Sequence, residues 1–205
     1  TIELMPKLYF RYGVMNSAKT ANLLMMAHNY RSQGKKIILM KPSIDTRFGE
    51  HTIKSRAVQE MTADIIILPC CRIFDIPEDT ACVLVDEAQF LSPVNVEGLR
   101  ELSETVPIVC YGLRTDYRSF LFPGSKRLLE IADTIEEVKT ICVNCEKKAI
   151  INAKFFYSTG VCENGNSEDM CNDRVKIILK SGSDKPDLGS ENKYQSMCFS
   201  CWNTS

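Results

Sequence analysis

The chain has 205 residues, of which 44% are hydrophobic and 25% are charged, and its formal net charge is −1. This length fits one substantial domain with a small appendage. A charge balance so close to neutral argues against a duplex-binding protein, whose affinity comes largely from neutralising phosphates with lysine and arginine. No apolar stretch reaches the roughly 18 residues of a membrane span, so we expect neither nucleic acid nor a membrane as a partner.

Cysteines are abundant in this chain. It has ten, and residues 1–7 lack the basic stretch and apolar block of a secretory signal. We therefore expect a cytoplasmic protein in a reducing environment, where cysteines bind metal or fill cores more often than they form disulfides. Cys82 and Cys110 lie inside apolar runs and are predicted to be core residues.

Apolar runs alternate with helical patterns up to about residue 140. The predicted strands are 8–10, 37–40, 65–68, 82–85 and 108–111, and the predicted helices are 20–30, 94–105 and 125–132. Runs that are apolar throughout indicate strands buried on both faces. Their alternation with helices indicates βαβ units, so the sequence predicts an α/β fold with a parallel sheet flanked by helices.

The composition changes after residue 141. Cysteines cluster there, and residues 160–189 are rich in glycine, asparagine, serine and aspartate. We therefore expect a first domain over residues 1–141 and a small C-terminal subdomain over residues 142–205. Within the second part, residues 175–179 are a candidate strand of a hairpin or flap, and residues 182–192 are a loop by composition.

A glycine-led segment joins the first predicted strand to the first predicted helix. The phosphate-binding loop pattern is Gly, four residues, Gly, Lys and Ser or Thr; this chain has Gly13-Val14-Met15-Asn16-Ser17-Ala18-Lys19-Thr20. Such a loop directs backbone N–H groups at one point, where the helix dipole also favours an anion. Ala18 replaces the second glycine, which alanine can do if its φ is helical. The alternative is an ordinary turn with an exposed Lys-Thr pair.

Two acids follow the apolar run that ends at Val85. A parallel strand that ends in aspartate beside a phosphate loop is the arrangement that holds Mg²⁺, which assigns that role to Asp86. Glu87, the next residue, could accept a proton from an attacking nucleophile. A strand that simply ends in two solvated acids is the alternative. Since both motifs occur in the right order, they together predict a P-loop kinase.

Four segments in chain order resemble the type II thymidine kinases. They are Asp45-Thr46-Arg47-Phe48, Asp86-Glu87-Ala88-Gln89-Phe90-Leu91, Tyr111-Gly112-Leu113-Arg114-Thr115-Asp116-Tyr117-Arg118 and Lys193-Tyr194-Gln195-Ser196-Met197-Cys198. The second is similar to the family's Asp-Glu-x-Gln-Phe stretch, the third to its substrate-site segment and the fourth to its lasso loop. The resemblance extends from about residue 7 to residue 201.

This resemblance implies a RecA-like P-loop NTPase fold and thymidine kinase activity. ATP, with Mg²⁺, would donate its γ-phosphate to the 5′-hydroxyl of thymidine, and secondarily of deoxyuridine. The products would be dTMP and ADP, in pyrimidine salvage. The resemblance also implies a homotetramer and feedback inhibition by dTTP.

The resemblance also implies roles for individual residues. Glu87 would be the general base, Thr20 and Asp86 would bind Mg²⁺, and Arg47 would offset charge on the transferring phosphoryl group. The residues implied on the ATP side are Gly13, Val14, Met15, Asn16, Ser17, Ala18, Lys19, Thr20, Asp45, Arg47, Asp86 and Gln89. Those implied around thymidine are Met15, Phe90, Leu113, Tyr117, Phe122, Asp187, Leu188, Gly189 and Tyr194. For Tyr117 and Phe122 the alternative is packing between a loop and the sheet.

Two Cys-x₂-Cys pairs flank the C-terminal region. Cys142 with Cys145 and Cys198 with Cys201 offer four thiolates, which suits tetrahedral zinc with no open position and hence a structural site. The long gap between the pairs suits a loop whose ends are tied at the metal. Two redox dithiols or one disulfide are the alternatives. The remaining cysteines are predicted to be free thiols: Cys70, Cys71, Cys162 and Cys171. In an oxidising compartment, Cys162–Cys171 would be the first disulfide to test.

Three features depart from the family's pattern. Ala18 replaces a usual glycine, Ser190 stands where a second lasso glycine is common, and residues 157–186 form a longer segment than expected. Two further readings stay open: a RecA-like or zinc-ribbon ATPase that binds nucleic acid, and an inactive P-loop protein. The near-neutral charge argues against the former, and the retained Lys19 and Glu87 argue against the latter.

Overall fold

The described residues form a six-stranded sheet, a three-stranded sheet and a two-stranded sheet that pairs Thr52–Ile53 with Met61–Thr62. The computed structural model describes residues 5–55, 60–159, 174–182 and 193–205. Its strands are β1 (Leu8–Tyr12), β2 (Lys36–Pro42), β3 (Thr52–Ile53), β4 (Met61–Thr62), β5 (Ile65–Ile67), β6 (Thr80–Val85), β7 (Ile108–Gly112), β8 (Thr134–Glu137), β9 (Ile151–Thr159), β10 (Arg174–Leu179) and β11 (Tyr194–Met197). Its α-helices are α1 (Lys19–Ser32), α2 (Pro93–Leu102), α3 (Pro123–Ile131) and α4 (Phe199–Asn203), and a 3₁₀ turn covers Ala88–Phe90.

The larger sheet is parallel, as the alternation of strand and helix predicted. Its six strands have the order β5-β2-β6-β7-β1-β8, and every neighbouring pair is parallel. The strands β6, β7 and β1 are adjacent in this order although they are distant in sequence. Because the carboxyl ends of parallel strands lie at one edge, the loops that follow these three strands meet there.

Apolar side chains fill both faces of this sheet. Beneath α2 and α3 the buried residues include Phe10, Val83, Val85, Ile108 and Cys110. Beneath α1 they include Leu39, Cys82, Leu84, Val109 and Tyr111. Adjacent residues of one strand thus point to opposite faces, and both are apolar because helices cover both. The core position predicted for Cys82 and Cys110 is confirmed, and burial raises the pKa of both thiols.

Element boundaries differ from the sequence prediction where local hydrogen bonds decide them. Helix α2 begins at Pro93, one residue before the predicted start. Its N-cap is Ser92, whose hydroxyl oxygen accepts from the Asn95 backbone N–H at 3.2 Å. It ends at Leu102, because the Thr105 N–H bonds to the Leu102 carbonyl in a turn (3.1 Å). The prediction that this helix continues to residue 105 is wrong.

The second sheet is antiparallel and small. Its order is β10-β9-β11, and residues 175–179, the candidate strand, lie in β10 and pair with β9. Its core is a small cluster that contains Ile151, Ala153, Met197 and two of the paired cysteines, Cys142 and Cys198. Among the described residues of this part of the chain, two of the candidate metal-binding cysteines thus belong to the apolar core itself.

Several predictions fall outside the described residues. They concern the loop at 182–192, the Cys162–Cys171 disulfide, the departure at Ser190, most of the long segment 157–186, and Asp187, Leu188 and Gly189. In the part of the chain that the structure describes, no helix is long and apolar enough to cross a membrane.

Candidate active site and metal centre

The phosphate-loop segment lies at the carboxyl edge of the parallel sheet. It connects β1 to α1, and the Gly13 N–H bonds to the Gly112 carbonyl at the end of β7 (3.2 Å). A Cβ on Gly13 would lie 2.5 Å from the Val138 carbonyl oxygen and 2.5 Å from the Ser17 hydroxyl. Only glycine fits there, so the first glycine of the pattern has a steric reason.

Ala18 adopts a left-handed conformation, with φ 62° and ψ 22°. The expectation that alanine is tolerated here because its φ is helical is therefore wrong. The chain must turn through this conformation before α1 begins at Lys19, and the same loop already holds Asn16 at φ 59°. A non-glycine residue in this region costs about 1–3 kcal/mol, so the loop keeps its geometry at some expense of stability.

We expect Ala18→Gly to stabilise the protein. Glycine removes the cost of the left-handed conformation, about 1–2 kcal/mol. Its larger backbone entropy in the unfolded chain opposes this gain by about 0.4–1 kcal/mol. The melting temperature should rise by about 2–3 °C for a chain of this size, measured by calorimetry. The matched control is Ala21→Gly, which lies inside α1 and should lower it. An equal fall of the melting temperature in both variants would contradict the view that Ala18 is strained.

Lys19, Thr20 and Asp86 form a compact polar group under the loop. The Lys19 ammonium donates to the Val14 carbonyl oxygen at 2.7 Å, and the Thr20 hydroxyl lies 3.2 Å from both Asp86 oxygens. Burial lowers the pKa of Lys19 to about 8 against the opposing charges of Glu87 and Asp86. Burial and the charge of Glu87 raise the pKa of Asp86. A buried carboxylate of this kind gains from a nearby cation, so this group could hold a divalent metal ion.

Glu87 stands at the centre of a chain of polar contacts. One carboxylate oxygen accepts from an Arg47 Nη2–H, and the other accepts from the Gln89 side-chain amide at 2.5 Å. The Gln89 carbonyl oxygen in turn accepts from the Leu113 N–H at 2.9 Å. Glu87 has a left-handed backbone, φ 50°, which is typical of strained functional positions. Both oxygens are thus held by donors in fixed positions.

Asp45 continues this chain away from Glu87. Its Oδ1 accepts from Arg47 Nε at 2.8 Å, and its Oδ2 lies 3.1 Å from the Lys41 ammonium. Burial of Asp45 opposes its charge, but Arg47 and Lys41 keep its pKa below the ordinary value. Burial likewise opposes the charge of Arg47, but Glu87 and Asp45 raise its pKa. Residues singled out far apart in sequence therefore meet in one connected group.

The rings expected around the nucleoside fall into two groups. Phe90 and Phe122 contact each other edge to face, with centroids 5.8 Å apart. The Lys154 ammonium lies 5.2 Å from the Tyr117 ring centroid and 5.8 Å from that of Tyr194. Tyr117, in the turn after β7, and Tyr194, at the start of β11, thus both lie near the Lys154 ammonium.

Two residues that the sequence argument did not single out hold Met15. The Met15 N–H donates to the Asn152 side-chain oxygen at 2.7 Å, and the Met15 carbonyl accepts from the Ser196 hydroxyl at 2.5 Å. The Asn152 amide also donates to the Thr115 carbonyl at 2.9 Å. Both side chains are buried. The second sheet therefore fixes both backbone groups of one phosphate-loop residue.

The four paired cysteines are positioned to bind a metal ion. Their sulfur atoms all lie within 4.8 Å of one another, and Cys145 Sγ is 3.7 Å from Cys198 Sγ and 3.6 Å from Cys201 Sγ. Tetrahedral zinc with Zn–S near 2.3 Å needs sulfurs about 3.8 Å apart. Backbone N–H groups of Asn144 and Cys201 point at Cys142 Sγ and Cys198 Sγ, both at 3.4 Å. All four thiols are free, so a disulfide between them is not present.

The fold and the grouped side chains define a class of protein. The sheet is parallel, a phosphate loop follows β1, and an acid pair follows β6, which is separated from β1 by β7 alone. A phosphate loop and an acidic strand end at the same edge of a parallel sheet are features of P-loop kinases. Comparison with known proteins gives the family: the thymidine kinase family model matches residues 6–202. This chain belongs to the thymidine kinase family, as its motifs predicted.

Individual relatives agree with this assignment. A thymidine kinase of Lactococcus lactis is 46% identical over 151 residues, covering 71% of this chain and 79% of its own. One of Chromobacterium violaceum is 37% identical over 200 residues, covering 97% of this chain and 98% of its own. One of Streptococcus gordonii is 37% identical, covering 91% of this chain and 100% of its own. The alignment with the Chromobacterium violaceum protein, which covers 97% of this chain, spans both the six-stranded and the three-stranded sheet.

Proposed function

We propose that this protein transfers the γ-phosphate of ATP to the 5′-hydroxyl of thymidine, and secondarily of deoxyuridine, giving dTMP and ADP for pyrimidine salvage. The observation that carries the proposal is the contact of Glu87 with Arg47 and Gln89, beside the phosphate loop. Phosphoryl transfer needs positioning and charge stabilisation more than covalent chemistry. The two contacts of the Glu87 carboxylate fix its position, and the Arg47 guanidinium beside it supplies a positive charge.

The donor side of the proposed reaction uses the loop from Gly13 to Thr20. Its backbone amides and the Lys19 ammonium would bind the phosphates at the start of α1. Thr20 and Asp86 would hold Mg²⁺, which would offset the charge of the phosphates when bound. The 3.2 Å contact between these two side chains supports the assignment, since two ligands of one ion must lie close together.

On the acceptor side, Glu87 would take the proton of the 5′-hydroxyl as that oxygen attacks. A primary alcohol is a weak nucleophile, so a general base contributes about 10²–10⁴-fold. Arg47, which contacts Glu87, would then meet the charge on the transferring phosphoryl group. Gln89 would keep the second carboxylate oxygen occupied and so restrict the direction of the first.

Aromatic and apolar side chains would enclose the thymine base. The proposed set is Met15, Phe90, Leu113, Tyr117, Phe122 and Tyr194, together with backbone groups of Asp187, Leu188 and Gly189. Rings stack on any base, whereas backbone groups distinguish its edges. The pairing of Phe90 with Phe122 and the approach of Tyr117 and Tyr194 to Lys154 support this enclosure.

We further propose that the metal held by the four cysteines is zinc, that residues 142–205 form the subdomain built around it, and that residues 1–141 form the kinase domain. Four thiolates leave no open coordination position, so this metal would be structural. A homotetramer in the cytoplasm, inhibited by dTTP, completes the proposal by analogy with the family.

The decisive experiment measures ADP release with ATP and Mg²⁺ in the presence of single acceptors. Thymidine should give turnover, deoxyuridine less, and deoxycytidine, deoxyguanosine and buffer none. Turnover without an acceptor, or turnover stimulated by single-stranded DNA, would overturn the kinase proposal and favour an ATPase that acts on nucleic acid.

A further inference from the structure

Lys41 is a charged residue at a core position. In β2, side chains alternate between faces, and Ile37 and Leu39 lie in the apolar core beneath α1. Lys41 follows in the same alternation, and it exposes only 1% of its surface. Lysine is almost never fully buried unless it is paired, because its ammonium loses hydration. The burial of this charge therefore needs a structural or functional explanation.

The ammonium of Lys41 is fully paired. It lies 3.1 Å from Asp45 Oδ2 and donates to the carbonyl oxygens of Gly49 at 3.2 Å and Thr52 at 3.0 Å. An ammonium has three donors, so all of them are used. Asp45 and Gly49 lie in the loop between β2 and β3, which also carries Arg47, and Thr52 is the first residue of β3. Lys41 therefore connects the loop that carries Arg47 to β2 of the central sheet.

A short chain of contacts leads from Lys41 to Glu87. Asp45 receives Lys41 on one oxygen and Arg47 Nε on the other, at 2.8 Å. Arg47 then contacts Glu87 through Nη2. Because the Asp86 N–H bonds to the Met40 carbonyl at 2.9 Å, the strand that carries Lys41 is also paired directly with the acid pair. Lys41, on β2, and Glu87, two residues after the end of the neighbouring strand β6, are thus joined by the side chains of Asp45 and Arg47.

We infer that Lys41 is a positioning residue for phosphoryl transfer, which sets the place of Arg47 and Glu87 through Asp45 and the loop carbonyls. The inference rests on the proposed function, and Lys41, which is buried with all three donors used, would act through its neighbours rather than by binding a substrate. Misplacement of a reacting group by about 1 Å can cost on the order of 10²-fold in rate. Loss of Lys41 should therefore act on kcat, while the KM values for ATP and thymidine stay close to those of the unchanged protein.

The test compares Lys41→Met with Ile53→Ala in the full chain. Ile53 is buried beside Thr52, in the core beneath α1, so its truncation disturbs the base of the same loop without removing a polar contact. Both variants should melt earlier. Below both melting temperatures, Lys41→Met should lose about 10-fold or more in kcat at KM values within about 2-fold, and Ile53→Ala should keep its kcat. Backbone hydrogen exchange of residues 45–52 should rise more in Lys41→Met.

A second variant keeps the inference testable if Lys41→Met does not fold. Lys41→Gln retains a donor without the charge, and its kcat should lie between those of Lys41→Met and the unchanged protein. If Lys41→Met does not fold, the kcat of Lys41→Gln should be several-fold below that of the unchanged protein. A kcat equal to that of Ile53→Ala in either variant would overturn the inference. An unchanged protein that does not phosphorylate thymidine would overturn the proposed function instead.

Discussion

Glu87→Gln is expected to lower thymidine-dependent ADP release by about 10²-fold or more, with the fold and nucleotide binding retained. Glutamine keeps the size of the side chain but cannot accept a proton from the 5′-hydroxyl. Initial rates at saturating ATP and thymidine measure the effect, and direct titration with ADP measures binding. A variant with near-normal turnover would show that the proton goes elsewhere.

The contacts of Glu87 sharpen this expectation. Both of its oxygens accept from donors, one from Arg47 and one from Gln89. Gln89 cannot simply rotate its amide, because its carbonyl oxygen already accepts from the Leu113 N–H. An amide at position 87 therefore turns an N–H toward one of the two donors, and that contact is lost. The loss in kcat thus combines a missing base with a displaced neighbour.

A matched control separates chemistry from charge. Glu104→Gln removes the same charge from an exposed side chain, whose only described ion pair is with Arg100 at 3.1 Å. Exposed pairs contribute about 0–1 kcal/mol, so turnover and melting temperature should change little. Equal losses of turnover in the two variants would mean that net charge, not the position of Glu87, governs the rate.

The central sheet was predictable because burial on both faces leaves a clear signal. β1, β2, β6 and β7 are apolar runs, and each was expected near its observed position. β8 was not, since it lies at the sheet edge with Ile135 partly exposed and two glutamates at its end, so it has no apolar run. Strand signals of this kind report burial more than strand geometry.

The sequence selects candidate site residues, but it does not show their contacts. The end of an apolar strand selected Glu87, and the family resemblance selected Asp45, Arg47 and Gln89, yet nothing in the sequence says that Arg47 joins Asp45 to Glu87. Backbone conformation at Ala18 was also out of reach, because residue type alone suggested that alanine avoids a left-handed φ. The loop overrides that preference, since the start of α1 requires it.

The contacts of Met15 were missed for a different reason. Asn152 and Ser196 lie in β9 and β11, and β9 was not recognised as a strand. With β9 and β11 paired, Asn152 stands opposite Ser196 in the register. Two polar side chains opposite each other and both buried would have suggested a shared target. That target is the backbone of the phosphate loop, which no local pattern around Met15 reveals.

Cys145→Ser is expected to release the metal and to destabilise the second sheet. Serine is a poor ligand for zinc, and the small core around Ile151 and Met197 offers little to replace a metal. Metal content by elemental analysis should fall from about one zinc per chain to well below it. If the loss amounts to about 4 kcal/mol, the melting temperature should fall by about 10 °C or more.

This variant should also affect the active site through Met15. Ser196, in β11, is two residues from Cys198, and Asn152 lies in β9, the strand that follows the Cys142–Cys145 pair in the chain. Loosening of this sheet would therefore release both backbone contacts of the phosphate loop. The KM for ATP should therefore rise. Cys70→Ser, which changes an exposed thiol outside the cluster, is the control and should keep metal, melting temperature and KM. If Cys145→Ser kept its metal and melted like Cys70→Ser, the four cysteines would not form a structural metal site. If it lost the metal with an unchanged KM for ATP, the second sheet would not be what holds the loop.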